Sequence, residues 1–372
     1  MKLYEYQAKE VFKETGIVIP NSKLISSFDE ASQAIEEIGT PCVVKSQVLS
    51  GGRGKAGLVV FTKTKEEALK EVKRLFEHEL NIQNIMIEEA VDIKQEIYCA
   101  ITVDPNKGTG LLMVSVEGGV DIETLAVESP EKIVKEAIDL RYGLMPFQAA
   151  RVAFDLGLDV SVAKELRKVF LKLYHIFTKY DAELVEINPL FINSDNEVIA
   201  GDGKLMIDDN SMFRQTRYEK QMTDYKTEAE FDAAQEGIPF IQFDGDIGLM
   251  CAGAGLTTTV YDLIHYEGGT IANYLEFGGP HYKKALQAME ICLKVPSKVI
   301  LIVTFGTIAR ADVMAEGIVD AIKRLKPNRP IVTCIRGTNE KEAVETLRSA
   351  GLEPIFDTEE AVRKAVALAK GE

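Results

Sequence analysis

Apolar positions recur at helical spacing over residues 4–15, where Ala8, Val11 and Phe12 share a face and Gly16 follows as a stop signal. A second helix is predicted from Ser27, with Glu30 three residues on as a capping box and Gly39 at its end. Residues 42–47 read as a strand, a glycine-rich stretch follows, and residues 58–61 read as another strand. Thr64 and Glu67 then form a capping box ahead of the helix EEALKEVKRLF. Three extended segments, IMIEEAV, EIYCAITVD and GLLMVSV, fill residues 85–115. SPEKIVKEAI is predicted helical, with Ser129 as cap and Pro130 in the first helical position. Helices continue through PFQAARVAFDLG and VAKELRKVFLKLYHIFTKY, and AELVEINPLFI–NSDNE–VIAGDGKLMID reads as a hairpin. This half is α+β, with strands meeting mostly in antiparallel fashion.

Residues 208–237 are polar and lack a clean apolar period, which marks them as the linker between domains at 1–235 and 238–372. Beyond the linker the pattern becomes a strict alternation. The strands DIGLMCA, TIANYLEF, KVILIVTF, PIVTCIR and EPIFD each precede an amphipathic helix. Five βα units predict an open parallel sheet of flavodoxin-like type.

Composition narrows the function classes. A net charge of −15 over 372 residues argues against a general nucleic-acid or anionic-membrane binder. The five cysteines (Cys42, Cys99, Cys251, Cys292 and Cys334) are scattered without a CxxC pair, as in a reducing compartment. The N-terminal MKLYEYQAKEVFKETG is amphipathic rather than signal-like, and no run approaches a membrane span. A soluble, cytoplasmic protein is expected.

The stretch VVKSQVLSGGRGKAGLVV, residues 43–60, holds the densest candidate chemistry. It is not a P-loop: Ala56 stands where Ser or Thr is needed, no glycine lies five before Gly54, and a strand follows instead of a helix. Two readings remain open. It is a glycine hairpin laid over a nucleotide, with Lys45, Arg53, Lys55 and backbone N–H groups facing phosphates, or a plain hairpin with solvated charges. Further on, Glu186 and Asn188 lie two apart on one strand and share a face, and the hairpin brings Asp202 opposite them. An amide oxygen and a carboxylate suit Mg²⁺, a hard ion that takes few protein ligands beside phosphate oxygens; a polar outer face of a hairpin fits the same residues.

Taken in order, MKLYEYQAKEVF, VVKSQVLSGGRGKAG, EGGVDIE, LVEINPL, DGK, DDNSMFRQ, GAGLTT, FGG and RGTN resemble the β subunits of the succinyl-CoA synthetase family, with an N-terminal ATP-grasp domain. The resemblance covers essentially the whole chain. It implies the reaction acid + CoA + NTP ⇌ acyl-CoA + NDP + phosphate, relayed through a phosphohistidine on a separate CoA-binding α subunit. By that resemblance Lys45, Gly52, Arg53 and Gly54 would hold the nucleotide phosphates, and Glu88, Val91 and Glu96 would line the adenosine site. Asn188 and Asp202 would bind Mg²⁺, and Glu186 would receive the histidine. Pro20 looks more like the adenine-using than the guanine-using members. The chain has only His78, His175, His265 and His281, none on a glycine loop of relay type, as expected of half an enzyme. In the second domain, Gly253, Ala254 and Gly255 open a helix whose N-terminus would face the phosphohistidine.

The resemblance is broken in three loops at strand ends. Ala252 stands where the family has Asn, Gly278–Gly279–Pro280–His281 where it has GGGA, and Phe305–Gly306–Thr307–Ile308 where it has FGGI. In succinyl-CoA synthetases the first and third loops contact the acid; with the helix facing the phosphohistidine and the second loop, the expected substrate and phosphohistidine set is Ala252, Gly253, Gly255, Gly279, His281, Thr307, Ile308 and Ala309. AGAG, NYLEFGGP and the IAR segment are also similar to ATP-citrate lyase and citryl-CoA synthetase. Succinate, as in the tricarboxylic acid cycle, is the expected acid, with a citrate- or malate-type acid as alternative. A carboxylate–amine ligase would need no partner histidine and no flavodoxin-like domain. A non-catalytic paralogue would have no use for Lys45, Glu186, Asn188 and Asp202.

Overall fold

The computed structural model describes residues 1–49, 52–222, 225–278, 283–307 and 309–371. The chain divides into two compact units, Met1–Tyr218 and Glu219–Glu372.

The first unit contains, in chain order, α1 (Glu5–Glu14), β1 (Ser22–Ile25), α2 (Ala31–Ile38), β2 (Cys42–Ser46), β3 (Val59–Thr62), α3 (Lys65–Phe76), β4 (Ile85–Glu89), β5 (Ile93–Asp104), β6 (Thr109–Ser115), α4 (Ile122–Glu128), β7 (Val134–Ile138), α5 (Pro146–Asp155), α6 (Val160–Lys179), β8 (Ala182–Asn193), β9 (Val198–Ala200) and β10 (Lys204–Ile207). They form two antiparallel sheets, a four-stranded one ordered β1-β4-β2-β3 and a six-stranded one ordered β10-β8-β5-β6-β7, with β9 paired to β8. The smaller sheet buries Val44, Ile85 and Ile87 against Ala34, Ile35, Val72 and Leu75 of α2 and α3. Under the larger sheet α6 lays down Val162, Leu166, Val169, Phe170, Leu173, Ile176 and Phe177, the stripe that a period of 3.6 residues puts on one face. Thr64 caps α3 by accepting from the Glu67 backbone N–H at 3.3 Å, as its capping box predicts.

SPEKIVKEAI does not form the predicted helix. Pro130–Lys132 make a single 3₁₀ turn, and the Ser129 side chain makes no cap hydrogen bond. From Val134 the chain runs antiparallel to β6. Val134, Glu136 and Ile138 are at least half-buried, while Lys135 and Ala137 are exposed. That alternation of two wins over the capping signal, because strand pairing supplies the hydrogen bonds a lone helix would have to make for itself.

The second unit holds α7 (Glu228–Glu236), β11 (Phe240–Gln242), β12 (Ile247–Cys251), α8 (Ala254–Tyr266), β13 (Ile271–Leu275), α9 (Ala285–Lys294), β14 (Val299–Gly306), α10 (Ala311–Leu325), β15 (Ile331–Gly337), α11 (Glu340–Ser349) and α12 (Thr358–Lys370). Its sheet is ordered β11-β13-β12-β14-β15, with all pairs parallel except β11 with β13. Alternate residues of each strand face opposite layers: Ile300 and Ile302 meet α9 to α11, while Val299, Leu301 and Val303 meet α8 and α12. Two expectations change here. EPIFD is not a strand; its backbone meets the backbone of the sheet once, the Ile355 N–H donating to Thr333 O at 2.8 Å. The fifth place is taken by antiparallel β11. Within the polar stretch 208–237, α7 forms because Thr227 accepts from the Glu230 N–H at 3.2 Å and only Ala229 and Ala233 need burial. Among the described residues, no helix is long and apolar enough to cross a membrane.

Candidate functional site

A cleft of about 930 Å³ opens within the first unit. One wall is the β2–β3 hairpin, with Val43, Lys45, Gly52, Arg53, Gly54 and Val59. Another is formed by β8, the turn after β9 and the start of β10, with Glu186, Asn188, Asp202 and Lys204. The hairpin closes on itself through Leu58 N–H to Arg53 O at 2.9 Å, and Gly52 takes φ +74, open to glycine at little cost.

The floor of the cleft is a buried network of three cations and three carboxylates. Lys45 Nζ lies 3.0 Å from Glu5 Oε1 and 2.6 Å from Glu88 Oε1, and donates to Gly201 O at 2.6 Å. Lys9 Nζ reaches Glu88 Oε2, Glu5 Oε1 at 3.1 Å and Gly201 O at 2.8 Å. Arg53 forks onto Asp202, with Nη2 at 2.8 and 3.0 Å from its two carboxylate oxygens. Arg53 Nη1 donates to Ser46 O at 3.0 Å and lies 2.7 Å from Glu5 Oε2. The two lysines can share one carbonyl because Gly201 has no side chain; a Cβ there would fall 2.2 Å from the Phe191 ring.

Burial and charge compete at each member. At Glu5, burial raises the carboxyl, but Lys45, Lys9 and Arg53 outweigh it and hold it well below the usual carboxylate range. At Lys45, burial works against the ammonium, yet Glu5, Glu88 and Asp202 push its pKa above the ordinary lysine value. Lys9 goes the other way, lowered by burial and by the nearby Lys45. Asp202 is raised by burial and by the Glu5 charge, against Arg53, Lys45 and Lys9. An Asp in that position gains from a further cation.

Beside this network, Glu186 accepts a hydrogen bond from Tyr98 Oη at 3.2 Å and stands cross-strand from Lys204. Burial raises its carboxyl above the usual range, with Lys204 and Tyr98 opposing. Asn188 Oδ1 accepts from the Gly119 N–H at 2.8 Å while its amide donates to Val120 O at 3.0 Å, so β8 and the EGGV loop are tied together. The Asp202 N–H donates to Pro189 O at 3.3 Å, which ties the turn after β9 to β8 one residue from Asn188.

Most of the residues expected at a nucleotide site therefore do converge: Lys45, Gly52, Arg53, Gly54, Glu88, Val91, Glu186, Asn188 and Asp202 all line one cleft. Glu88 differs in role, since its carboxylate is spent on Lys9 and Lys45. Glu96 is not among the lining residues; its carboxylate packs on Gly119. Sequence reading missed Glu5, Lys9 and Tyr98. A signal for the first two exists, because positions 5, 8, 9 and 12 fall on one helical face and Ala8 and Phe12 are core.

In the second unit, Ala252 and Gly253 connect β12 to α8, and Gly253 takes φ +101 where L side chains rarely go. Gly255 lies exposed in the first turn of α8, whose leading N–H groups point out of the helix. Thr307 is exposed and Ala309 half-buried ahead of α10. The two strand ends beside them touch: a Cβ on Gly337, at φ +110, would lie 1.9 Å from Gly306 O. Arg310 and Asn339 both bond Asp312, and these contacts hold its carboxyl well below its usual range. Gly279, His281 and Ile308 lie outside the described residues.

The geometry agrees with what the chain is similar to. Residues 2–192 match the ATP-grasp domain family and residues 250–368 match the CoA-ligase family. The succinate–CoA ligase [ADP-forming] subunit β of Gemmatimonas aurantiaca is 39% identical over 376 residues, covering 99% of this chain and 98% of that one. The chain belongs to the succinate–CoA ligase β-subunit family. As a member it is an acid–thiol ligase chain, forming acyl-CoA with nucleotide cleavage. The match over 250–368 removes the carboxylate–amine ligase alternative. Within this family, the ADP-forming sulfoacetate-CoA ligase subunit SqwK of an Acholeplasma species is 66% identical over 372 residues, 100% of this chain and 92% of that one. The corresponding subunit SauC of Bilophila wadsworthia is 56% identical over 371 residues, with all of both chains covered. The fold also matches ATP citrate lyase of Methanothrix soehngenii, with a TM-score of 0.75 at 20% identity, covering 100% of this chain and 99% of that one.

Proposed function

We propose that this chain is the nucleotide-binding subunit of an ADP-forming sulfoacetate–CoA ligase: sulfoacetate + CoA + ATP ⇌ sulfoacetyl-CoA + ADP + phosphate. The observation that carries the reading is the step in identity, from 66% and 56% for two sulfoacetate ligases to 39% for the succinate enzyme of G. aurantiaca, over essentially the full chain each time. It revises the expectation of succinate, and the altered acid loops support it. Sulfoacetate keeps the reacting CH₂–COO⁻ and replaces succinate's far CH₂–COO⁻ by a directly attached, tetrahedral, permanently charged sulfonate with three acceptor oxygens. Ala252 leaves more room than the family Asn, and Thr307 supplies a hydroxyl donor where the family has glycine.

In this reading Lys45 and Arg53 meet the nucleotide phosphates, the Gly52–Gly54 backbone covers them, and Val91 borders the adenosine. Asn188 and Asp202 fit Mg²⁺: both offer hard oxygens and line the same cleft, and the raised Asp202 gains from a cation. When bound, the ion would neutralise charge on the transferring phosphoryl group. Glu186 would accept the N–H of a histidine on a CoA-binding α subunit, with Tyr98 holding the carboxylate for it. That histidine would carry the phosphoryl group to the acid's carboxylate, and the CoA thiol would then displace phosphate from the acyl phosphate. The relatives named as ligase subunits support such a partner.

The test is an acid panel on the chain co-expressed with its partner, reading ADP release with CoA and sulfoacetate, succinate, malate or citrate. Sulfoacetate should give the highest kcat/KM; a preference for succinate would return the chain to the general family reaction.

A further inference from the structure

One carboxylate of the cation cluster lies within ion-pair distance of all three cations. Glu5 is 3% exposed, on the face of α1 that also carries Ala8, Lys9 and Phe12. Its Oε1 accepts from Lys45 at 3.0 Å and lies 3.1 Å from Lys9. Its Oε2 lies 2.7 Å from Arg53 Nη1 and takes no hydrogen bond of its own. The same group thus faces both cations assigned to the phosphates. Lys9, 2% exposed, anchors it from below and is tied in turn to Glu88 and to Gly201 O.

Such a cluster needs a reason beyond folding, since replacing a buried ion network by apolar packing is often neutral or stabilising. Before a nucleotide arrives, Lys45 and Arg53 have long, rotamer-rich side chains that would otherwise have to be ordered during binding. Holding them in place beforehand removes that cost from the binding step.

We propose that Glu5 is a positioning residue for nucleotide binding: from the first helix it fixes Lys45 and Arg53 in the cleft in advance of the phosphates. The inference rests on the reading that this cleft takes the nucleotide phosphates. Three cations face three carboxylates (Lys9, Lys45 and Arg53 against Glu5, Glu88 and Asp202), so this network balances its own charge. Glu5 lines the same cleft as the two cations and as Gly52 and Gly54.

The experiment is titration of Mg·ADP into the complex of the full chain with its partner, without acid or CoA, by calorimetry. Glu5→Gln should weaken ADP binding about tenfold, because an amide gives only one acceptor oxygen and no charge to share among the cations. Glu5→Asp keeps the charge and should recover part of that loss, a rescue that a merely structural role would not produce in the folded fraction. If Glu5→Gln does not fold, Glu5→Gln/Lys9→Met restores neutrality and should show the same tenfold weakening. Lys45→Ala is the control. ADP binding within twofold of wild type in the Glu5 variants, with Lys45→Ala impaired, overturns the inference and spares the cleft. ADP binding unchanged in Lys45→Ala overturns both.

Discussion

The two units carry their candidate chemistry in different materials. In the first, it resides in buried side chains: Lys45, Glu88, Glu5 and Lys9 are each at most 6% exposed and paired with one another. In the second it resides in backbone at strand ends, where Gly253 turns into α8 and Gly337 presses against Gly306 O. The difference teaches what each unit can tolerate. A side-chain network responds to loss of one member, because the partners are left as unpaired buried charges. A backbone site depends on the absence of side chains, and the residues between its glycines are free to change with the substrate.

The largest effect should come from the network. Lys45→Ala leaves Glu5 and Glu88 short of a cation and removes a phosphate contact, so ADP affinity should fall by at least ~100-fold, read by calorimetry. Glu186→Gln comes next, lowering ³²P transfer from ATP to the partner's histidine by about 100-fold, a typical loss when a reacting group is no longer held in line. ADP binding should stay near wild type in that variant; if it falls equally, Glu186 belongs to the nucleotide site. In the second unit, Gly337→Ala forces a Cβ into Gly306 O at positive φ and should cost about 2 kcal/mol in denaturant unfolding. ADP binding unaltered in the folded protein would keep the two kinds of site distinct. The smallest effect is the most specific. Ala252→Asn with Thr307→Gly gives back two family residues and should move the sulfoacetate-to-succinate ratio of kcat/KM about tenfold toward succinate; an unmoved ratio would take these loops out of acid selection.

How far this was legible follows the same division. The alternating βα pattern was read strand by strand because buried parallel strands are continuous apolar runs, such as VILIV in β14. It failed at EPIFD, where the chain makes one backbone–backbone hydrogen bond to the sheet and turns into α12, and at SPEKIVKEAI, where a capping signal was outweighed by pairing with β6. The cleft residues were visible through GGRGK, EINPL and DGK. Glu5 and Lys9 went unread, although their place on the Ala8–Phe12 face implied burial. No local pattern could name the acid, since Ala252 and Thr307 state what was removed and added but not what fits.

The central claim is that a nucleotide site held in common with the family serves a different acid. Steady-state ADP release by the chain with its partner, at equal sulfoacetate and succinate and saturating ATP and CoA, measures it directly. The account predicts that sulfoacetate is turned over with the higher kcat/KM by at least about tenfold. Equal or better use of succinate would contradict it.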